Sequence, residues 1–177
     1  MERVRDGDVK LLGELFERHA EKLHAFFARH TSRHDAGDDL VQDVFFRMLK
    51  YRHTYRGDAP FTVWMYQLAR NASADYFRKW KNECPTDEIP EHKHEREESA
   101  AEKMDRDEQT RLVRSALNRL DPAKREVLLL SRFQELKYEE IGKILDCPVG
   151  TVKARVHFAL KDLREEYFKL SGEKMIE

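Results

Sequence analysis

Lys153, His157 and Lys161 recur at four-residue steps, and with Ala154 and Phe158 they give one helix face cations, an imidazole and an aromatic ring. The lysine ammonium groups can donate to guanine acceptors or to phosphates, and a phenyl ring suits the methyl group of thymine. Gly150 and Ala154 are small enough to let such a helix approach base edges closely. The opposite side carries Val149, Val152, Val156, Leu160 and Leu163 at three- and four-residue steps, the apolar seam of an amphipathic helix. Upstream, Ile141, Ile144 and Leu145 form the apolar face of a shorter helix, and Pro148 suits the junction because it has no N–H to donate. Residues 138–163 therefore read as a helix-turn-helix whose second helix fits a DNA major groove. A solvated lysine-bearing face is the plain alternative, but the turn spacing and the outward basic set together favour DNA.

Other chemistry is thinly represented. Cys84, His92 and His94 have donor atoms suited to zinc, yet Cys-x7-His-x-His is a weak spacing inside a polar, proline-containing stretch, so no metal site and no cofactor are expected. His19, His24, His30, His34 and His53 read as ordinary helix or loop histidines, and no nucleophile–base set is visible, which argues against an enzyme. Cys84 and Cys147 are the only cysteines and suggest no disulfide framework.

The elements that must hold the basic helix are helical too. The chain has 177 residues with only seven glycines and five prolines, and it lacks runs of alternating β-branched residues. An all-α fold of two small helical domains joined by a flexible acidic linker is expected, with bounds 1–81, 82–107 and 108–172. In the first domain, Asp8 is expected to cap a helix with a stripe of Leu12, Leu15, Phe16, Leu23, Phe26 and Phe27. A second helix buries Leu40, Val41, Val44, Phe45, Met48 and Leu49. After a turn through Tyr55–Pro60, a third helix buries Phe61, Trp64, Met65 and Leu68 and pauses near Asn71. A basic fourth helix then carries Tyr76 to Lys81. The second domain begins near Asp107, packs Leu112, Leu117 and Leu120, restarts at Asp121-Pro122, and ends with the helix-turn-helix.

The formal net charge of −1 conceals a segregation. Between Asn82 and Glu108 stand eleven acids against four bases, so the remainder of the chain is mildly basic. That distribution suits a nucleic-acid partner. Fully extended, the acidic stretch reaches roughly 85 Å. No apolar run is long enough to span a membrane and the N-terminus has no signal-peptide core, so a cytoplasmic location without membrane insertion is expected.

Two separated blocks carry a further likeness. Asp38-Asp-Leu-Val-Gln-Asp-Val-Phe45, Tyr55-Arg-Gly-Asp58 and Phe61 through Arg78 resemble region 2 of the extracytoplasmic-function (ECF) group of bacterial RNA polymerase sigma factors. Leu120-Asp-Pro-Ala-Lys-Arg-Glu-Val127 with the helix-turn-helix resembles region 4 of the same group. The resemblance implies a subunit that directs core RNA polymerase to promoters and opens the DNA. It places contacts with the β′ clamp helices on Asp38, Asp39, Leu40, Gln42, Asp43 and Arg47. It places −10 recognition on a reading loop at Asn71, Ala72 and Ser73, followed by Asp75, Tyr76 and Arg78, with Arg70 and Lys79 among the phosphate contacts. An asparagine amide there can donate to and accept from an unstacked base.

For region 4 the resemblance implies −35 recognition by Lys153, Ala154, His157 and Phe158, phosphate contacts by Thr151 and Arg155, and a seat on the polymerase β flap. Regulation by an anti-sigma protein is implied as well. Two positions depart from the pattern. Phe158 stands where the group usually has arginine, and Lys137 replaces the common capping serine, a loss of about 1 kcal/mol at that helix start. An autonomous helix-turn-helix regulator is the alternative, but it leaves Gln42, Asn71 and the basic fourth helix without a purpose.

Overall fold

A computed structural model describes residues 1–31, 36–83 and 102–172, of which 81–83 and 102–107 are described as backbone only. The segment holding Cys84, His92 and His94, and most of the expected acidic linker, lies outside the described residues. Within them every regular element is helical, and helices occupy both lobes.

The first lobe contains α1 (Glu2–Arg5), α2 (Leu12–His30), α3 (Ala36–Lys50) and α4 (Phe61–Glu83), with single 3-10 turns at Val9–Leu11 and Arg52–Thr54. The packing of α2 and α4 against α3 buries Leu23, Phe26, Phe27, Val44, Met48, Met65 and Ala69 almost completely. Burial of a Phe or Leu side chain contributes about 1.5–3 kcal/mol, so this stripe stabilises the lobe far more than helix propensity does. Helices α2 and α3 approach closely at Gly37, where an added Cβ would lie 2.8 Å from the His24 ring.

The first helix departs from expectation at its start. Asp8 does not cap it: the Asp8 carboxylate accepts from Arg3 at 2.7 Å, and α2 proper begins at Leu12. The short α1 buries Val4 fully, a residue too isolated in sequence to announce a helix.

A larger correction concerns α4, which runs unbroken from Phe61 to Glu83 where two helices separated by a pause were expected. Ala72 and Ser73 are each 1% exposed and face the interior. Packing of that inward face keeps the backbone helical through Asn71-Ala-Ser, against the modest local preference of asparagine and serine for caps and turns.

The second lobe contains α5 (Glu102–Arg119), α6 (Pro122–Leu128), α7 (Tyr138–Leu145) and α8 (Val149–Ser171), with a wide π turn at Leu129–Phe133. As expected, Asp121 opens α6: its carboxylate accepts from the Ala123 N–H at 2.9 Å and Pro122 is the first helical residue. Helices reach into both ends of the expected linker, since α4 extends to Glu83 and α5 begins at Glu102.

Arg125 organises this lobe from inside. Its guanidinium donates to the carbonyls of Leu117 (2.9 Å), Asn118 (2.5 Å) and Leu120 (3.2 Å), which end α5, and to His30 (3.2 Å), which ends α2. One buried cation thus satisfies orphan carbonyls at two helix C-termini, where the helix dipoles favour positive charge. Desolvation by burial holds its pKa below the usual arginine range.

Candidate nucleic-acid interface and helical docking face

The helix-turn-helix forms as its spacing demands. Glu140 accepts from the Lys137 N–H at 2.8 Å, so half of a capping box survives although the lysine side chain has no acceptor. Helix α7 ends on Asp146 in the left-handed conformation (φ 50°), and the Cys147 N–H returns to the Gly142 carbonyl at 2.9 Å. A Cβ on Gly142 would sit 2.8 Å from the Cys147 carbonyl oxygen, so this tight turn requires glycine. Pro148 precedes α8, and Val152 and Val156 are 0% and 2% exposed against α6 and α7.

That burial turns the opposite face of α8 outward. Lys153, Ala154, Arg155, His157 and Phe158 are all exposed, Phe158 by 56%, and Thr151 is half-buried. The His157 and Phe158 rings meet edge to face at 5.6 Å, so imidazole and phenyl present one continuous surface. Two ammonium groups, counting Lys161 one turn on, flank an aromatic patch on a rigid helix. This arrangement matches the donor and apolar readout of a major groove.

On α4, Arg70, Asn71, Asp75, Arg78 and Lys79 are exposed and spread over the outer half of the helix, whereas Ala72 and Ser73 do not join them. A base contact through either of those two is therefore inconsistent with their burial. Tyr76 is half-buried. Asp75 is engaged: its carboxylate accepts from Arg47 of α3 at 2.9 Å and from Arg78 at 3.1 Å. Arg47 also donates to Asp43 at 2.9 Å, so a four-residue ion network ties α3 to α4. Asp43 and Arg47, expected at the docking surface, and Asp75, expected at DNA, thus fasten the lobe internally.

Beside this face lies a groove of about 420 Å³ lined by Tyr55, Arg56, Trp64 and Gln67 of the first lobe and by Lys143 and Asp146 of the second. An indole wall and an amide are groups that can stack on and read an unpaired nucleotide, and on the rim Arg56 and Lys143 stand with the carboxylates of Asp58 and Asp146. The sequence reading missed this set, because Trp64 and Gln67 lie on a helix whose other positions are core. Their period along the helix, one turn before Arg70 and Asn71, is the signal that could have found them.

Helix α3, where the docking contacts were expected, keeps Asp38, Asp39 and Gln42 exposed. Leu40, expected on the docking surface, is 4% exposed and belongs to the core between α2 and α4. In its place Phe46, one turn after Gln42, is 63% exposed, more than any other large apolar side chain among the described residues. An aromatic ring ringed by Asp39, Gln42 and Lys50 on a regular helix is the composition of a helix-on-helix contact with a central anchor.

Comparison with known proteins agrees with this division. The family model for sigma-70 region 2 matches residues 15–83 and that for sigma-70 region 4 matches residues 110–163. The chain is 29% identical over 165 residues to the ECF RNA polymerase sigma-E factor of Haemophilus influenzae, covering 88% of this chain and 87% of that protein. The same fold recurs in the sigma factor RpoE of Bartonella quintana, solved with the anti-sigma factor NepR (TM-score 0.70, 24% identity, 87% of this chain and 94% of that one). It recurs again in CnrH bound to the cytosolic domain of CnrY (TM-score 0.70, 24% identity, 98% and 96%). Among the described residues no helix is long and apolar enough to cross a membrane.

Proposed function

The chain belongs to the ECF group of RNA polymerase sigma factors, and from that premise we propose how its surfaces share the work of promoter recognition. The protein directs core RNA polymerase to specific promoters and initiates their opening. In our reading it performs no chemistry of its own and acts in the cytoplasm. Residues 108–172 read the −35 element through Lys153, Ala154, His157 and Phe158, with Thr151 and Arg155 on phosphates. Residues 1–81 dock on the β′ clamp helices through Asp38, Asp39, Gln42 and Phe46, and they capture the opened −10 strand through Asn71, Arg70, Arg78 and Lys79.

The single observation that carries this assignment is the outward set on α8. Every side chain expected at base edges is exposed, and Val152 and Val156, which alternate with them, are sealed in the core. Each lobe by itself makes few phosphate contacts and binds duplex weakly. Polymerase holds both lobes at once, the second lobe on the β flap, so two weak readings act at high effective concentration. Unpairing costs a few kcal/mol per flipped base and is offset when the exposed strand is captured. The relative solved with NepR is held by an anti-sigma factor, and we extend regulation by a protein of that kind to this chain.

Lys153→Ala tests the assignment. It should lower promoter-specific transcription by about tenfold to a hundredfold, the worth of one good base contact, while affinity for core polymerase stays unchanged. Loss of polymerase binding in this variant would show that α8 has been given the wrong role.

A further inference from the structure

Phe158 stands on the face that α8 turns outward, and its phenyl ring is left 56% exposed. The core closes without it: Val156 and Ala159, close by in sequence, are 2% and 0% exposed. The strip of helix leading to the ring is smooth. Gly150, Ala154 and Phe158 follow one another at four-residue steps, all three exposed, and a Cβ added to Gly150 would meet nothing within 4 Å. Phe158 is therefore the bulk that projects from this strip. The His157 ring lies against it at 5.6 Å, inclined by 72°, and steadies its direction.

What such a ring selects follows from what duplex DNA offers it. In the major groove the edges of guanine, adenine and cytosine present hydrogen-bond donors and acceptors, and the C5-methyl of thymine is the apolar group among them. A phenyl ring has neither a donor nor an acceptor of ordinary strength. Set against guanine, adenine or cytosine, it displaces water from polar atoms and leaves them without a partner, which is unfavourable. Set against a methyl group, it removes apolar surface of both partners from water. Lys153, His157 and Lys161 carry the polar groups of the same face, so the ring is free for the apolar contact alone.

We propose that Phe158 makes −35 recognition by this chain depend on a pyrimidine C5-methyl group, so that one base pair of the element is read by its methyl and by no hydrogen bond from this side chain. The inference rests on α8 being the duplex reader, as proposed above, and names the chemical group that one of its side chains selects. Uracil keeps every polar atom of thymine and lacks only the methyl, so it is rejected at that position. 5-Methylcytosine bears the same methyl on the same ring carbon, so a methylated C·G pair replaces T·A there in part, where an unmethylated one does not.

The test uses polymerase carrying the full-length chain on duplex promoters with its preferred −35 sequence, each thymine of either strand being replaced in turn by uracil. Promoter binding should weaken by about fourfold at one position, the worth of one buried methyl group. At that position 5-methylcytosine should be bound about fourfold better than cytosine. Phe158→Ala should abolish both differences, and Phe158→Leu, which keeps an apolar tip, should retain part of them. The side chain is exposed, so these variants keep the fold, which circular dichroism checks. A preferred element without thymine, indifference to uracil at every position, or a thymine–uracil difference that survives Phe158→Ala would overturn the proposal. Lys153→Ala separates the two readings. If it relaxes the upstream element while uracil is tolerated throughout, α8 reads the duplex and only the methyl contact fails; if it leaves upstream selectivity intact, the assignment of α8 itself fails.

Discussion

Removing the Arg125 side chain is the perturbation whose cost the structure defines most fully. Three of its four carbonyl acceptors, on Leu117, Asn118 and Leu120, lie in its own lobe and close the C-terminus of α5. Hydrogen bonds to a charged group are each worth about 1.5–3 kcal/mol, and a buried carbonyl left without a donor costs about 1–3 kcal/mol. Against this, Arg125→Ala recovers the desolvation penalty that the buried guanidinium already carries. The balance predicts a loss of about 3–5 kcal/mol for Arg125→Ala. In a lobe of this size that lowers the melting midpoint by more than about 12 °C. Arg125→Lys should fall between, because an ammonium presents its three donors at one point and cannot span carbonyls on separate turns. Urea titration followed by circular dichroism measures both. A change of less than about 1 kcal/mol for Arg125→Ala would mean that water replaces the guanidinium and that it does not fasten α5.

Two further outcomes follow from single residues. His30 is buried, stacks on Phe26 at 5.2 Å, and has its pKa lowered to about 4 by desolvation, with Arg125 and Arg70 adding repulsion. The unfolded chain takes up that proton near the ordinary histidine value and the native one does not, so stability should fall as pH drops from about 6.5 towards 4, by up to about 3 kcal/mol. In His30→Phe that part of the pH dependence should vanish; if the slope over this window is unchanged, other groups cause it. Phe46→Ala should weaken binding to core polymerase by about 2 kcal/mol, roughly thirtyfold, with folding stability within about 0.5 kcal/mol of wild type. Surface-immobilised polymerase and a denaturation curve separate the two effects, and a variant that only loses stability would place Phe46 in the fold instead of an interface.

The helix-turn-helix and its outward basic set were legible because both depend on short-range rules. Apolar spacing orients Val152 and Val156, which forces Lys153 and His157 outward, and Asp121-Pro122 marks a helix start by local capping chemistry. What the sequence hid was tertiary. Asn71-Ala-Ser reads as a break, but burial of Ala72 and Ser73 keeps α4 continuous. Phe46 falls outside the buried stripe that the spacing of this helix predicts, but spacing alone does not mark it as the most exposed large apolar side chain among the described residues, which the packing of α3 shows. Arg125 is interior because two helix ends meet there, which its place in the sequence does not signal. The hydrogen bonds Tyr66–Gln134 and Arg70–Glu126 join residues far apart in the chain, which no local pattern signals.

Transcription in vitro with purified core polymerase on a library of randomised promoters tests the central claim most directly. Polymerase carrying this protein should start transcripts from templates that share two short elements at one fixed spacing, and Lys153→Ala should relax only the upstream element. Transcription no greater than that of core enzyme alone would contradict the account.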